Sequence, residues 1–526
     1  MKKNSLICER PIKITKQNEN STNVRRNIFG EVNGIFPSKQ TYVGVQHHRW
    51  TRQGSTFIAV CTYSTSDFFF RSGFSFCVEL MTPAGEHVNE KGIRFYNDLI
   101  NKLLDNKITP MVTLYHWDLP QVLQEKYGGW QNVSMVDYFN DFASLCFERF
   151  GDRVKHWMTF NNPWSVAVEG YETGEHAPGL KLKGTGAYRA AHHLIKAHAK
   201  VWHTYDTKWK SKQKGLVGIS LTADWGEPVD TSNQGDIQAA ERYFQFYLGW
   251  FAGPLFHGDY PQVMKEYIGR KSGQQGLGAS RLPVFSAQEK TYIRGACDFL
   301  GLGHFTTRYI TQKNYPSGLR DSYFADRDLA ELVDPKWPDP GSEWLYSVPW
   351  GFRRFLNYVK VQSYGNPMIY VTENGVPEKK YCTDLCDAWR MQYYKDYINE
   401  MLKAVRDGVN VKAYTAWSLL DSFEWDEGYS QRFGLFFVDF SSKNKPRYPK
   451  ASVQFYKRII SSNGFPNQRE MESWKRKAEE ACFSSNQLLA AGQSDAAEHG
   501  TFCFLNQLLP HGEIKNMQAW VVHHEV

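Results

Sequence analysis

The sequence predicts an α/β fold, a parallel sheet wrapped in helices, and two observations carry that prediction. From about Val88 onward, short apolar runs of strand length alternate with longer segments whose apolar residues recur at helical spacing. Apolar strands separated by helices are the pattern of a parallel sheet covered on both faces. The second observation is that several of these runs end in polar, carboxylate or aromatic residues. In barrels built this way, functional groups gather at the C-terminal ends of the strands.

The elements follow in order. Asn89 to Asn106 reads as a helix, with Ile93, Tyr96, Leu99, Ile100, Leu103 and Leu104 on one face. Ile108 to Tyr115 is strand-like. Val154 to Phe160, Leu216 to Leu221, Phe299 to Phe305, Met368 to Thr372 and Val411 to Trp417 repeat the theme. Asp387 to Asp407 is a helix, with Gly408 as its stop. These runs supply six strands. A closed (β/α)8 TIM barrel needs eight, so the first two are sought upstream, at Ser55 to Tyr63 and Gly73 to Leu80. The expected organisation is a divergent N-terminal segment (1–72) able to contribute the first strand, a barrel (73–464) and a polar C-terminal tail (465–526).

Composition sets bounds on function. The 526 residues are 42% hydrophobic and 22% charged, as in a soluble globular protein. Barrels of about 200 to over 400 residues are common, so one large core is within reach. Aromatics reach 15%, which suits large core residues and also sugar-facing surfaces. The net charge of +7 is spread along the chain without a strong cluster, which argues against nucleic acid as a partner. Nine cysteines do not make a disulfide scaffold; Cys382 and Cys386 read either as a short-loop pair or as two thiols. The pairs His47-His48, His192-His193 and His523-His524 lack metal-ligand companions, and no metal or cofactor is expected. Met1 to Asn33 has no apolar core of a signal peptide, and no run reaches the roughly 18 apolar residues of a membrane span. Asn20-Ser21-Thr22 and Asn132-Val133-Ser134 match the N-glycosylation pattern, and localisation stays open.

The strand ends are His116-Trp117-Asp118, Asn161-Asn162-Pro163, Glu373-Asn374-Gly375 and Trp417 to Trp425. Each alone reads as a loop cap or a core aromatic. Their shared position argues for a pocket.

Around these residues the motifs lengthen. Tyr115-His116-Trp117-Asp118-Leu119-Pro120 is followed by Gly128-Gly129-Trp130, then Thr159-Phe160-Asn161-Asn162-Pro163 and Tyr370-Val371-Thr372-Glu373-Asn374-Gly375. Trp417-Ser418-Leu419-Leu420-Asp421, Phe423-Glu424-Trp425 and Arg447-Tyr448-Pro449-Lys450 complete the series. In this order they resemble glycoside hydrolase family 1, the retaining β-glucosidases and β-galactosidases, from about Gly73 to Gly464. Tyr171 to Leu182 and Gly301 to Tyr309 are similar to its lactase-like, klotho-related branch, whose members carry a signal peptide and a C-terminal membrane span.

The resemblance implies a (β/α)8 barrel acting on β-linked glycosides. Glu373 takes the place of the nucleophile. His116, Asn161, Trp417, Glu424 and Trp425 take the places that hold the sugar. Asn162 stands where the acid/base glutamate is expected. A retaining enzyme needs two carboxyl groups about 5–5.5 Å apart, and an amide cannot move protons near neutral pH. Support around Glu373 is also thinner than the family's: Gly303 and Phe305 replace an asparagine and a tyrosine. Gly73 falls near the place of an arginine, with Arg71 close by, and the first-strand glutamine has no counterpart. Weak or absent hydrolysis is one expectation. The other is a glycan- or protein-binding barrel, with a membrane-protein partner as the klotho resemblance implies.

Overall fold

A computed structural model describes residues 88–474 and 476, apart from 317–321, 339–341, 362–363, 379–384 and 386. The two upstream strands sought above, Arg71, Gly73, Cys382, Cys386 and most of both terminal segments lie outside the described residues.

Helix α1 (Glu90–Asp105) begins and ends where the apolar spacing predicts. Asn89 caps it, its side chain accepting from the Lys91 N–H, and Ile93, Tyr96 and Ile100 are buried. The six predicted runs form one parallel sheet. With β4 (Trp225–Pro228), β6 (Thr307–Gln312) and β7 (Leu329–Leu332) set aside, its strands are β1 (Met111–Tyr115), β2 (His156–Asn161), β3 (Leu216–Thr222), β5 (Leu300–Gly303), β8 (Ile369–Glu373) and β9 (Val411–Tyr414). They neighbour one another in that order, and every pairing is parallel. β5 and β8 are buried along their whole length, which is why they read as unbroken apolar runs.

Helices α2 (Met135–Phe150) and α4 (Gly186–Lys208), with α3 (Pro163–Val168) between them, cover β2 and β3. Phe139 stacks on Phe160 at 4.4 Å, and Phe147 meets Trp157 edge-on at 5.1 Å. A smaller cluster joins Met111, Met158, Phe299, Tyr370 and Ala413, at or beside the N-terminal ends of five strands. The polar residues named above stand toward the opposite, C-terminal ends of the strands. Farther round, α5 (Trp350–Val361) and α6 (Ala388–Arg406) pack together. Asp387 and Asp407 flank α6, and Gly408 follows at φ 90°. α7 (Ala451–Ser462) docks on α6, and packing continues past Gly464, with Met471 1% exposed.

Besides shifts of one or two residues at strand ends, as in β2 and β5, the structure differs from the sequence reading in three places. β1 starts at Met111 rather than Ile108, since Pro110 has no N–H to give a ladder. β9 stops at Tyr414, after which the chain pairs through isolated Gly375–Trp417 and Leu420–Phe436 bridges. Unforeseen are a three-stranded sheet, β4-β6-β7, and the hairpin of β10 (Phe436–Val438) with β11 (Arg447–Pro449). These strands are only 3–6 residues long, too short to show a period.

Candidate active site

His116, Asn161, Asn162, Glu373 and Trp417 stand at or just beyond the C-terminal ends of the parallel strands, and Glu424 and Trp425 lie farther along the loop after β9. His116 follows β1, is 6% exposed, and is held by Asn161 at the end of β2, Nδ2 to Nε2 at 3.1 Å. Burial pushes the His116 imidazole down to about 3, so the ring is neutral at physiological pH. With Nε2 accepting from the amide, the ring proton sits on Nδ1. That nitrogen and Asn161 Oδ1 are buried without hydrogen-bond partners. They offer one donor and one acceptor, which is what a sugar hydroxyl can satisfy.

The next residue, Asn162, has φ 38°, a left-handed conformation that asparagine tolerates better than most side chains. It precedes α3, whose first residue is Pro163, a favoured helix opener. Its amide is 7% exposed and donates from Nδ2 to Ser165 Oγ at 2.8 Å, while Oδ1 has no partner.

Glu373 closes β8 and is 6% exposed. Its neighbour Asn374 is fixed on three sides: Nδ2 donates to the His304 carbonyl at 2.7 Å and to Tyr393 Oη at 3.1 Å, and Tyr414 donates to Oδ1 at 2.6 Å. Gly375 then pairs with Trp417, so the end of β8 and the start of the loop after β9 form one unit. A Cβ on Gly375 would lie 1.7 Å from the Trp417 carbonyl, so only glycine fits there. On the other side, Phe305 presents a ring without a hydroxyl. Its carbonyl takes hydrogen bonds from Tyr393 and Tyr397, both at 2.9 Å. At Gly303 a Cβ would meet Thr222 Oγ1 at 2.4 Å, so the threonine occupies the space a larger residue would need.

Aromatic rings gather around His116: Trp417 at 6.0 Å, Trp425 at 5.7 Å and Trp117 at 5.5 Å between centroids. Trp117 and Trp425 lie against each other at 4.5 Å between centroids, their planes tilted by 31°. Glu424 accepts from Ser422 Oγ at 2.8 Å. His116, Asn161, Trp417 and Trp425 thus form one contiguous group. Asn162 and Glu424 adjoin it along the chain, and Glu373 is tied to it through the Gly375–Trp417 bridge.

Three side chains at this end were not singled out from the sequence. Glu169 opens the π-helical turn Glu169–Thr173 after α3. His176 lies between carboxylates, Nδ1 at 3.5 Å from Glu169 Oε2 and Nε2 at 3.4 Å from Asp426 Oδ1. Asp224, just past β3, is pushed up to about 6 by burial despite facing Arg308 at 3.5 Å. The only sequence signal was the helical spacing of 162, 165 and 169; the contacts from His176 to Asp426 cross between loops. Among the described residues, no group of three His, Cys, Asp or Glu side chains is arranged to hold a metal. No helix of the described residues is long and apolar enough to cross a membrane.

A parallel barrel with buried amides, an imidazole, a carboxyl and indoles at its strand ends is of the β-glycosidase type. Residues 72–465 match glycosyl hydrolase family 1, and the chain belongs to that family, whose solved members are (β/α)8 barrels. It is similar to the lactase-like protein of Homo sapiens, at 68% identity over 421 residues, covering 80% of this chain and 74% of that protein. Among solved structures it is similar to aphid myrosinase, with TM-score 0.69 and 40% identity over 73% of this chain and 82% of that one. It is also similar to a rice β-glucosidase carrying a Glu-to-Gln mutation in a covalent complex with Glc (TM-score 0.68, 41% identity, 73% and 82% covered).

Proposed function

We propose that the chain binds β-linked glucosides or galactosides in this pocket and hydrolyses them slowly, with retention, through Glu373. His116, Asn161, Trp417, Glu424 and Trp425 hold the sugar. Asn162 stands in the acid/base position and contributes no proton. The observation that supports this most is the pairing of a buried strand-end glutamate, locked to Trp417 through Gly375, with a buried amide at the end of β2. Glu373 can attack the anomeric carbon. Departure of a poor leaving group then lacks the general-acid help typically worth about 10²–10⁴-fold. The rice relative is informative here: a Glu-to-Gln variant holds glucose covalently.

A second reading is a barrel that binds a glycan or a protein without turnover, with a membrane-protein partner as in klotho relatives. The missing hydroxyl at Phe305 and the filled space at Gly303 favour it, because both thin the polar support of a nucleophile.

Hydrolysis of an activated aryl β-glucoside, with and without azide, separates the two. We expect slow turnover that azide accelerates and that Glu373→Ala abolishes. A folded sample with no turnover under either condition overturns the hydrolytic reading and leaves binding.

A further inference from the structure

Asn162 precedes α3, and steps of three and then four residues lead from it to Ser165 and Glu169, which bring the three side chains toward one side of the helix. Asn162 Nδ2 donates to Ser165 Oγ at 2.8 Å, and Ser165 is hydrogen-bonded to Glu169 in turn. Helical side chains lean toward the N-terminus of their helix. The Glu169 carboxyl is therefore carried back along α3 toward Asn162. Two hydrogen bonds in series span roughly 5–6 Å, too far for direct proton transfer to a group lying against Asn162 and the right span for one intervening water. Asn162 Oδ1 on this face is buried without a hydrogen-bond partner, and Glu169 Oε2 is met only by His176 Nδ1 at 3.5 Å.

The groups facing Glu169 are Ser165 on its own face, His176 and Glu175 from the segment after the π turn, and Asp426 from the loop after β9. Tyr247, stacked on Trp164 at 4.2 Å, also feels its charge. Burial holds the carboxyl above its ordinary range, with smaller pushes in the same sense from Glu175 and Asp426, and His176 and Ser165 pull it back only in part. A carboxyl that keeps its proton at higher pH is what a general acid requires.

We propose that Glu169 supplies the proton transfer that Asn162 cannot, acting through one water oriented by Asn162 Oδ1. This rests on the reading of Glu373 as nucleophile. In the first half-reaction a Glu373 oxygen bonds the anomeric carbon as the glycosidic C–O bond breaks. The water protonates the leaving oxygen and takes the Glu169 proton. In the second, the Glu169 carboxylate accepts a proton from the water that attacks the anomeric carbon. The Glu373 ester bond breaks, and the hemiacetal leaves with both carboxyl groups restored. Acting through a water, Glu169 is a positioning and relay residue, so its test needs readouts that a structural role would not move.

The full chain is compared with Glu169→Gln and Glu169→Asp, each checked for unchanged thermal unfolding. For phenyl β-glucoside, whose leaving group needs a proton, Glu169→Gln lowers kcat/KM about tenfold or more, below the range of a direct donor. It also removes the fall of kcat/KM with rising pH. For dinitrophenyl β-glucoside, kcat/KM is unchanged. Glu169→Asp retains part of the phenyl rate and the pH dependence. An unaltered pH profile together with equal losses on both substrates overturns the proposal. Mass spectrometry after treatment with a 2-deoxy-2-fluoroglucosyl fluoride tests the underlying reading separately. If Glu373 is labelled but Glu169→Gln changes neither the pH limb nor the leaving-group dependence, Glu169 alone is excluded. If Glu373 takes no label, the nucleophile reading fails and this proposal falls with it.

Discussion

At the scale of single residues, Asn162 concentrates the question. Its backbone sits at φ 38° and its amide is buried, so the position is both strained and enclosed. Asn162→Glu restores a proton-bearing group at the cost of placing a residue less tolerant of left-handed backbone there, about 1–2 kcal/mol. We expect kcat/KM on unactivated β-glucosides to rise about 10²–10⁴-fold, with azide no longer stimulating turnover. Steady-state rates on methyl and dinitrophenyl β-glucosides, measured side by side, check this, and equal rates for variant and parent on the methyl glycoside contradict it. Asn162 was legible in the sequence because one short motif exposes it. Glu169 was not, because its importance depends on side-chain direction along α3 and on a π turn that leaves no periodic trace.

At the scale of elements, Lys450 links parts that the sequence keeps far apart. Its ammonium donates to Glu378 Oε2 at 2.8 Å and to Asp421 Oδ1 at 2.9 Å, partners 72 and 29 residues away. Asp421 also accepts from Arg432 at 2.7 Å and from the Gly434 N–H at 3.0 Å. The side chains of Lys450 and Asp421 have no exposure and that of Glu378 has 6%, so these charges are satisfied by protein partners rather than by water. This network fastens the segments after β8 and β9 to the start of α7. Lys450→Met strips Glu378 of its ammonium and leaves Asp421 only Arg432 as a cation, and should cost about 3–5 kcal/mol, read as a lower urea midpoint. Arg447 to Lys450 was recognisable as a motif, but nothing in one sequence names the partners of a buried lysine. The strands of the parallel sheet were legible because burial on both faces makes them continuously apolar. β4, β6 and β7 were not, since half-exposed strands of 4–6 residues carry no such run.

At the scale of the whole molecule, buried titratable groups set the response to pH. Burial lowers six imidazoles among the described residues, four of them furthest: His116 to about 3 and His192, His198 and His304 to about 4, against about 6.5 in an unfolded chain. Their depressed values mean that the unfolded chain binds protons the folded one refuses, so stability is full above about 6.5 and is lost as pH falls toward 4. Asp224 and Glu378, raised to about 6 and about 7, act in the opposite sense: their contribution is present below about 4 and lost as pH rises through those values. Two further lowered imidazoles, His156 and His193, are set against two further raised carboxyls, Glu169 and Glu172; of the groups shifted furthest, near pH 5.5 four imidazoles outweigh two carboxyls, leaving the unfolded chain richer by about two protons. Unfolding free energy should then rise by about 2–3 kcal/mol per pH unit, as denaturant titrations at pH 5, 5.5 and 6 would measure. A flat or falling profile contradicts this balance.

The close, tilted contact of Trp117 with Trp425 has a consequence in light rather than in chemistry. Two indoles 4.5 Å apart share their electronic excitations, and their joint absorption takes on a handed signature that neither ring has alone. The pair belongs to the ends of different strands, so its geometry reports how the mouth of the barrel is set at any moment. A ligand that wedges between or tilts these rings would rewrite the near-ultraviolet dichroism of the protein, giving the pocket an optical readout that requires neither turnover nor an attached dye.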